Sequence, residues 1–430
     1  MKKNIILIII MIFMLGLKNV SAKDTIHSVK KYQDANLLWM ENSYDINNKM
    51  DGFLTIGTYL EENEENKNYQ VIAIKYKKNG KIAWTYQYGN SVDDEALGID
   101  YTYNEDGNRD GYLLVVKTTY DAEEVPETNS STTFIKLDLE GNVVWEKSVP
   151  EKVIKILPTY NDNTEVTGFI AITSTIDEKA MIIQYDKELN KIWQKEDLED
   201  HLIYEDITTI QEDTKIIGYV ILRNNEAEGT LDLLKTDLEG NKVSLQEIDP
   251  SYENLSLQRS ENGFILYGIT KEVKLKKGDI SYFVLNYDKD GSILFESIGN
   301  EVVDEKEKVL LQPLNKGYVV LYKNKIDSSY EVVKLDEYGI ILKKIKKIKN
   351  NYYDFNDFHI IKDTIYFVGQ INCPEKDNCD YKNNSLFLVS DEETVIEVKD
   401  NDSKKILIGI TLLMAVLVLG AIFSRKKKRV

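Results

Sequence analysis

Asp106-Gly107-Asn108-Arg109-Asp110-Gly111 comes nearest to a site for chemistry in this chain. Oxygen-bearing residues at alternate positions before a glycine open a calcium loop, which makes Asp106, Asn108 and Asp110 candidate ligands. The twelfth position is Lys117, where a bidentate Glu is needed, and the residues after Gly111 read as a strand, so a polar hairpin loop accounts for the stretch better. Cys373 and Cys379, the two cysteines, are six positions apart, a spacing that points to a local disulfide in an exported chain. The three histidines (His27, His201, His359) are scattered and add no metal set. Between residues 23 and 403 the arginines are Arg109, Arg223 and Arg259, at non-equivalent places in the repeats described below. A sialidase-type site needs a cluster of arginines to grip a carboxylate with paired donors. Paired carboxylates for glycosidase chemistry stand out nowhere among so many acids. No P-loop, GxGxxG, HExxH or GxSxG pattern is present, so the sequence names no catalytic residue and no cofactor, and a non-enzymatic protein is expected.

The elements that would have to position any site are repeated. A Gly-aromatic pair opens an apolar run at Gly52-Phe53, Gly111-Tyr112, Gly168-Phe169, Gly218-Tyr219, Gly263-Phe264 and Gly317-Tyr318, with Thr364–Gly369 as a degenerate seventh copy. A second anchor, Asp-x-x-Gly, follows an apolar strand at Asp138…Gly141, Asp237…Gly240, Asp288…Gly291 and Asp336…Gly339. Lys77…Gly80 and Asp186…Leu189 are imperfect copies, and Asp391 marks the seventh. From Asp138 to Asp391 the successive Asp positions lie 48 to 55 residues apart. Seven positions after the Asp, or after Lys77, come Trp84, Trp145, Trp193 and Phe295, with Ser244, Lys343 and Val398 in the other copies. Asp at the start of a turn bonds its own backbone two residues on, and Gly supplies the positive φ of a tight hairpin. Short β-branched and aromatic segments flank these turns, as strands should. The fold expected is therefore all-β, a seven-bladed propeller of four-stranded units near 37–90, 91–150, 151–200, 201–250, 251–300, 301–350 and 351–402, with the tryptophans packed between blades. The first and last units both read as complete. A strand from Thr25–Tyr32 is available to close the ring but the count does not require it.

The two ends read as membrane signals. Lys2 and Lys3, the apolar run Ile5–Leu17 and Val20-Ser21-Ala22 describe a secretory signal peptide over residues 1–22, cleaved after Ala22. Ile406–Phe423 carries no charge, is flanked by Lys404-Lys405 and Arg425–Arg429, and at about 1.5 Å per residue is long enough to span a bilayer. The basic tail belongs on the cytoplasmic side. The expectation is thus a single-pass cell-membrane protein: propeller over 23–403 outside, anchor and tail over 404–430. Ten of the 54 basic residues and none of the 72 acidic ones lie in the two terminal segments, which leaves 44 basic residues and a net charge of −28 for the exported part. Such a surface argues against nucleic acid as a partner.

Ile74-Lys75-Tyr76…Gly80…Trp84…Tyr88-Gly89-Asn90-Ser91…Asp94-Glu95-Ala96-Leu97-Gly98-Ile99 resembles the bacterial SBBP-type β-propeller repeat, and Phe134–Asp138…Gly141-Asn142…Trp145 fits its first half. The resemblance implies an exported bacterial propeller, and that family carries no single activity. The expected function is a cell-surface binding or scaffold protein for an extracellular protein, peptide or glycan. The alternative is a surface carbohydrate hydrolase or lyase using acids at the channel mouth. Two carboxylates converging there would favour the alternative.

Overall fold

The Asp-x-x-Gly segments form hairpin turns whose chemistry repeats closely. In each copy the Asp side chain accepts the N–H two and four residues on: Glu140 at 3.0 Å and Asn142 at 2.8 Å for Asp138, Glu188 and Asn190 for Asp186, Asp290 and Ser292 for Asp288, Tyr338 and Ile340 for Asp336. The glycine three positions on takes a φ between +74° and +93° at Gly80, Gly141, Gly240, Gly291 and Gly339, and Leu189 holds the same left-handed place at +57°. In the computed structural model, residues 25–391 are described apart from 28–31, 33, 63–66, 90–91, 105, 120–129, 162–164, 175–178, 198–200, 213–214, 272–278, 350–351, 362–363 and 373–383. The leader, the apolar run Ile406–Phe423 and the cysteines Cys373 and Cys379 fall outside the described residues, which hold no helix long and apolar enough to cross a membrane.

The turns join seven four-stranded antiparallel sheets. The first strand, β1 (Thr25–His27), belongs to the last sheet. Blade one is β2 (Asn36–Tyr44), β3 (Met50–Glu62), β4 (Lys67–Lys77) and β5 (Ile82–Tyr88). Blade two is β6 (Asp93–Tyr103), β7 (Arg109–Thr119), β8 (Ser130–Asp138) and β9 (Val143–Val149). Blade three is β10 (Lys152–Tyr160), β11 (Val166–Ser174), β12 (Ala180–Asp186) and β13 (Lys191–Glu196). Blade four is β14 (Leu202–Glu212), β15 (Lys215–Asn225), β16 (Thr230–Thr236) and β17 (Lys242–Glu247). Blade five is β18 (Tyr252–Ser260), β19 (Gly263–Thr270), β20 (Ser281–Asp288) and β21 (Ile293–Ile298). Blade six is β22 (Leu310–Pro313), β23 (Tyr318–Lys323), β24 (Tyr330–Leu335) and β25 (Ile341–Ile348). Blade seven is β26 (Tyr353–Ile361), β27 (Thr364–Ile371), β28 (Asn384–Asp391) and β1. The first strand of each blade touches the first strand of the next, and β26 touches β2, so seven inner strands surround a central channel and the molecule is a closed seven-bladed β-propeller.

One expectation is corrected. Unit 351–402 was expected to hold four strands of its own. Its outermost strand is β1 instead, with Thr25 opposite Val389 and His27 opposite Phe387. A glycine after Asp391, needed for another Asp-x-x-Gly hairpin, is absent from the sequence Asp391-Glu392-Glu393-Thr394, and the open edge of β28 is filled from the other end of the chain.

Seven apolar clusters hold the ring, and they lie between blades as well as within them. Phe53 and Tyr76 of blade one meet Tyr366 and Phe387 of blade seven, with Tyr76 and Phe387 stacked at 4.2 Å. The repeated aromatic and the repeated glycine are two halves of one contact. Trp84 lies on Gly141 of the next blade, Trp193 on Gly240 and Phe295 on Gly339, where a Cβ would come within 2.7 Å of the ring. Trp84 also donates its indole N–H to the Leu139 carbonyl at 3.2 Å.

Candidate functional site

The hairpins between first and second strands and the Asp-x-x-Gly hairpins lie on one face of the ring, here the turn face. Six of the seven inner strands carry a register shift at the same level, before Trp39, Gly98, Lys155, Asp206, Ser256 and Asp357. Asp206 and Asp357 stand there in the same role. Asp357 accepts the Phe358 N–H at 2.8 Å and the Met40 N–H of blade one at 3.0 Å. Asp206 accepts the Ile207 N–H at 2.8 Å and the Leu257 N–H of blade five at 2.7 Å, and it also binds the Lys155 ammonium at 2.6 Å. These two carboxylates staple neighbouring inner strands together.

Two residues further on the chain reaches Glu41, Asp100 and His359. Burial raises the Glu41 carboxyl and the charge of Asp357 adds to it, against the opposing pull of His359. Burial, together with the charge of Glu41, pushes Asp100 up to about 7. Burial lowers His359, which Glu41 partly offsets. Tyr101 joins the two acids: its N–H donates to Asp100 at 2.7 Å, and its hydroxyl lies 3.2 Å from a Glu41 oxygen and 2.7 Å from the Asn42 carbonyl. The hydroxyl has one proton to donate, and the nearer Asn42 carbonyl competes for it with the Glu41 carboxyl.

Toward the turn face, three inner strands end in the same pair of residues: Ser43-Tyr44, Thr102-Tyr103 and Thr159-Tyr160. Arg109, the first residue of β7, sits between the rings of Tyr44 (4.2 Å to the centroid) and Tyr101 (4.6 Å). Its terminal nitrogen donates to the Asn48 side chain at 2.9 Å, and its Nε is buried with no acceptor. The Tyr103 hydroxyl bonds to Arg109 and also pairs with Tyr160, which lies in the field of both Arg109 and Arg259. Two of the three arginines in the described ring therefore come to one channel mouth, a convergence their repeat positions concealed. On the blade-six and blade-seven side the same face opens a hollow of about 630 Å³ lined by Gln312, Pro313, Leu314, Lys316 and Ile360 among others.

The loop singled out in the sequence is put to other use. Asn104, Gly107 and Asn108 belong to the hairpin turn before β7, where the Asn104 side chain accepts the Asn108 N–H at 2.9 Å. Asp110 accepts the Thr102 hydroxyl at 2.7 Å and the Lys136 ammonium at 2.6 Å. No group of three or more His, Cys, Asp or Glu placed to hold a metal occurs among the described residues. Asp138, Asp186, Asp237, Asp288 and Asp336 are committed to their turns, and Trp84, Trp145, Trp193 and Phe295 to packing between blades.

No protein-family model matches this chain, and no curated protein matches it. Among solved structures it is similar to the polysaccharide lyase Uly1 (8% identity, TM-score 0.48, covering 84% of this chain and 90% of that one). It is also similar to the β-propeller domain of the Trilobed protease from Pyrococcus furiosus (13% identity, TM-score 0.42, 85% and 99%). A third is a putative 6-phosphogluconolactonase from Bacteroides uniformis (10% identity, TM-score 0.44, 83% and 100%). These likenesses concern the chain trace alone.

Proposed function

We propose that this propeller is a membrane-anchored cell-surface protein that binds an extracellular protein, peptide or glycan without turning it over, and that its ligand sits at the turn-face mouth of the channel. The observation that supports this is Arg109, a guanidinium clamped between two tyrosine rings and without an ion pair among the described residues in a chain crowded with acids. A rigid cation ringed by half-buried tyrosines is built for contact rather than for stability. The leader over residues 1–22 and the apolar run Ile406–Phe423 put the ring outside the membrane in this reading.

A second reading, a carbohydrate hydrolase or lyase, draws on Glu41 and Asp100, two carboxyls tied to one tyrosine and raised by burial in a cleft. One screen separates the two. The full chain in detergent micelles is applied to glycan and protein arrays, with and without a calcium chelator, beside turnover assays on labelled polysaccharides. The binding reading expects a saturable partner that survives chelation and is lost with Tyr160→Ala. Turnover that disappears with Glu41→Gln or Asp100→Asn, with no partner at micromolar concentration, would replace it by the second.

A further inference from the structure

Arginine is scarce in this ring, and the three that occur are used differently. Arg223 is consumed: its guanidinium binds Asp232 through two nitrogens at 2.7 and 3.0 Å and Asp197 at 2.7 Å, all within blade four and its approach. Arg109 and Arg259 form no ion pair among the described residues, although the chain carries 72 acidic side chains. Arg109 is held between its two rings, so its guanidinium keeps a fixed direction. Arg259, on the exposed end of β18, approaches the same Tyr160 from the blade-five side.

We infer that the turn-face mouth takes an acidic saccharide, with a uronate carboxylate held between Arg109 and Arg259 and the sugar ring against Tyr103 and Tyr160. This rests on the reading of that mouth as the ligand site and names the class of ligand. Guanidinium donors match a carboxylate in pairs, which an ammonium cannot do. Tyrosine gives a sugar a flat apolar face and a hydroxyl at its edge. Burial pushes Asp100, which lies in the field of Arg109, up to about 7, which weakens its hold on the cation.

Calorimetry with the full chain in detergent micelles tests this. The probes are galacturonate, glucuronate and mannuronate tetrasaccharides, their carboxyl-reduced counterparts, and an oligoglutamate peptide. At least one uronate should bind about tenfold or more tighter than its reduced form, and Arg109→Lys should weaken it by about tenfold through loss of paired donors. Arg259→Gln, on an exposed residue that leaves the fold alone, should weaken it similarly. Equal binding of acidic and reduced sugars overturns the carboxylate site while the mouth stays the ligand site, provided Tyr160→Ala abolishes both. Uronate binding indifferent to Arg259→Gln overturns the two-arginine geometry. Binding of the peptide alone, or of no probe at millimolar concentration, overturns the saccharide class, and the array result with Tyr160→Ala then decides the parent reading by itself.

Discussion

Asp357 and Asp206 each accept one N–H from their own strand and one from the neighbouring blade, whereas the backbone partner of Asp100 is its own neighbour, Tyr101. The difference separates scaffold from site. Two backbone donors favour the charged form of a carboxylate, yet burial still pushes Asp357 up to about 7, so what distinguishes the acids is what else each one faces. Asp100 is instead faced by Glu41 from β2, Arg109 from β7 and Tyr160 from β10, and its charged form is the costly one. Its carboxyl is raised from 3.8 to about 7, so the folded state binds its proton more tightly than the unfolded chain does. Stability from this group is present below about 4 and drains away as pH rises through about 7. At 1.36 kcal/mol per unit a dry site would be worth about 4 kcal/mol, and water in the channel reduces that to on the order of 1–2 kcal/mol. Asp100→Asn keeps an oxygen for the Tyr101 N–H and removes the titration. Urea unfolding at pH 5 and pH 8 should show the variant gaining about 1–2 kcal/mol on the parent between the two. Parallel pH profiles for the two proteins would mean that Asp100 ionises as an ordinary surface acid.

At the scale of the elements, the hairpins at Gly141, Gly240 and Gly339 supply the surface on which the previous blade's aromatic rests. Gly141 is constrained twice, by its φ of +89° and by Trp84, whose ring would lie 2.7 Å from a Cβ. Gly141→Ala should cost about 1–3 kcal/mol and Trp84→Ala about 3 kcal/mol. The two share one contact, so the double variant should lose less than the sum, by on the order of 1 kcal/mol, the residue being the backbone strain that removing the indole does not relieve. Thermal unfolding followed by circular dichroism measures the cycle, and strict additivity would show that the ring and the turn do not bear on each other. This contact is why the blades were legible: an Asp, a Gly three places on and an aromatic seven places on are local requirements of one hairpin and one stacking neighbour. The channel groups were not legible in the same way. Glu41 and Asp100 come from consecutive blades and His359 from the last one, and ring closure is what brings His359 beside Glu41. One signal was nonetheless on view: the Ser/Thr-Tyr pair that ends β2, β6 and β10. In the Asp106–Gly111 loop the calcium pattern draws the eye to the acids, and the residue that turns into the channel is Arg109, which that pattern leaves free.

For the whole molecule the decisive join is the short one. Three residues, Thr25–His27, complete blade seven, and so short a strand gives no turn signal of its own. Its side chains tie three strands together. His27 packs at 6.1 Å from the Phe387 ring of β28 and lies against Gly80 of blade one, where a Cβ would come within 2.0 Å of its Nε2. The closing strand thus reaches across the seam to the Lys77…Gly80 turn of blade one, the stacking that Trp84, Trp193 and Phe295 make on the glycine of the next blade, with an imidazole in their place. Burial lowers the His27 pKa below 6.5, because a protonated ring loses water without gaining a partner there. The sign follows: closure draws on neutral His27, its contribution is complete above the unfolded value of about 6.5, and it is lost as pH falls through the lowered folded value. Glu41, Asp100 and Asp357 push global stability in the opposite direction over part of that range, so the readout has to be local. Hydrogen exchange of the Phe387, Leu388 and Val389 amides, compared with those of β15 on the far side of the ring, isolates the seam. Acidification from pH 8 to pH 5 should speed exchange in β28, after correction for the intrinsic rate, and leave β15 unchanged, and His27→Phe should keep the seam closed at both values. Seam protection that stays constant with pH in the parent would show that β1 is held by its backbone pairing with β28 and not by its imidazole.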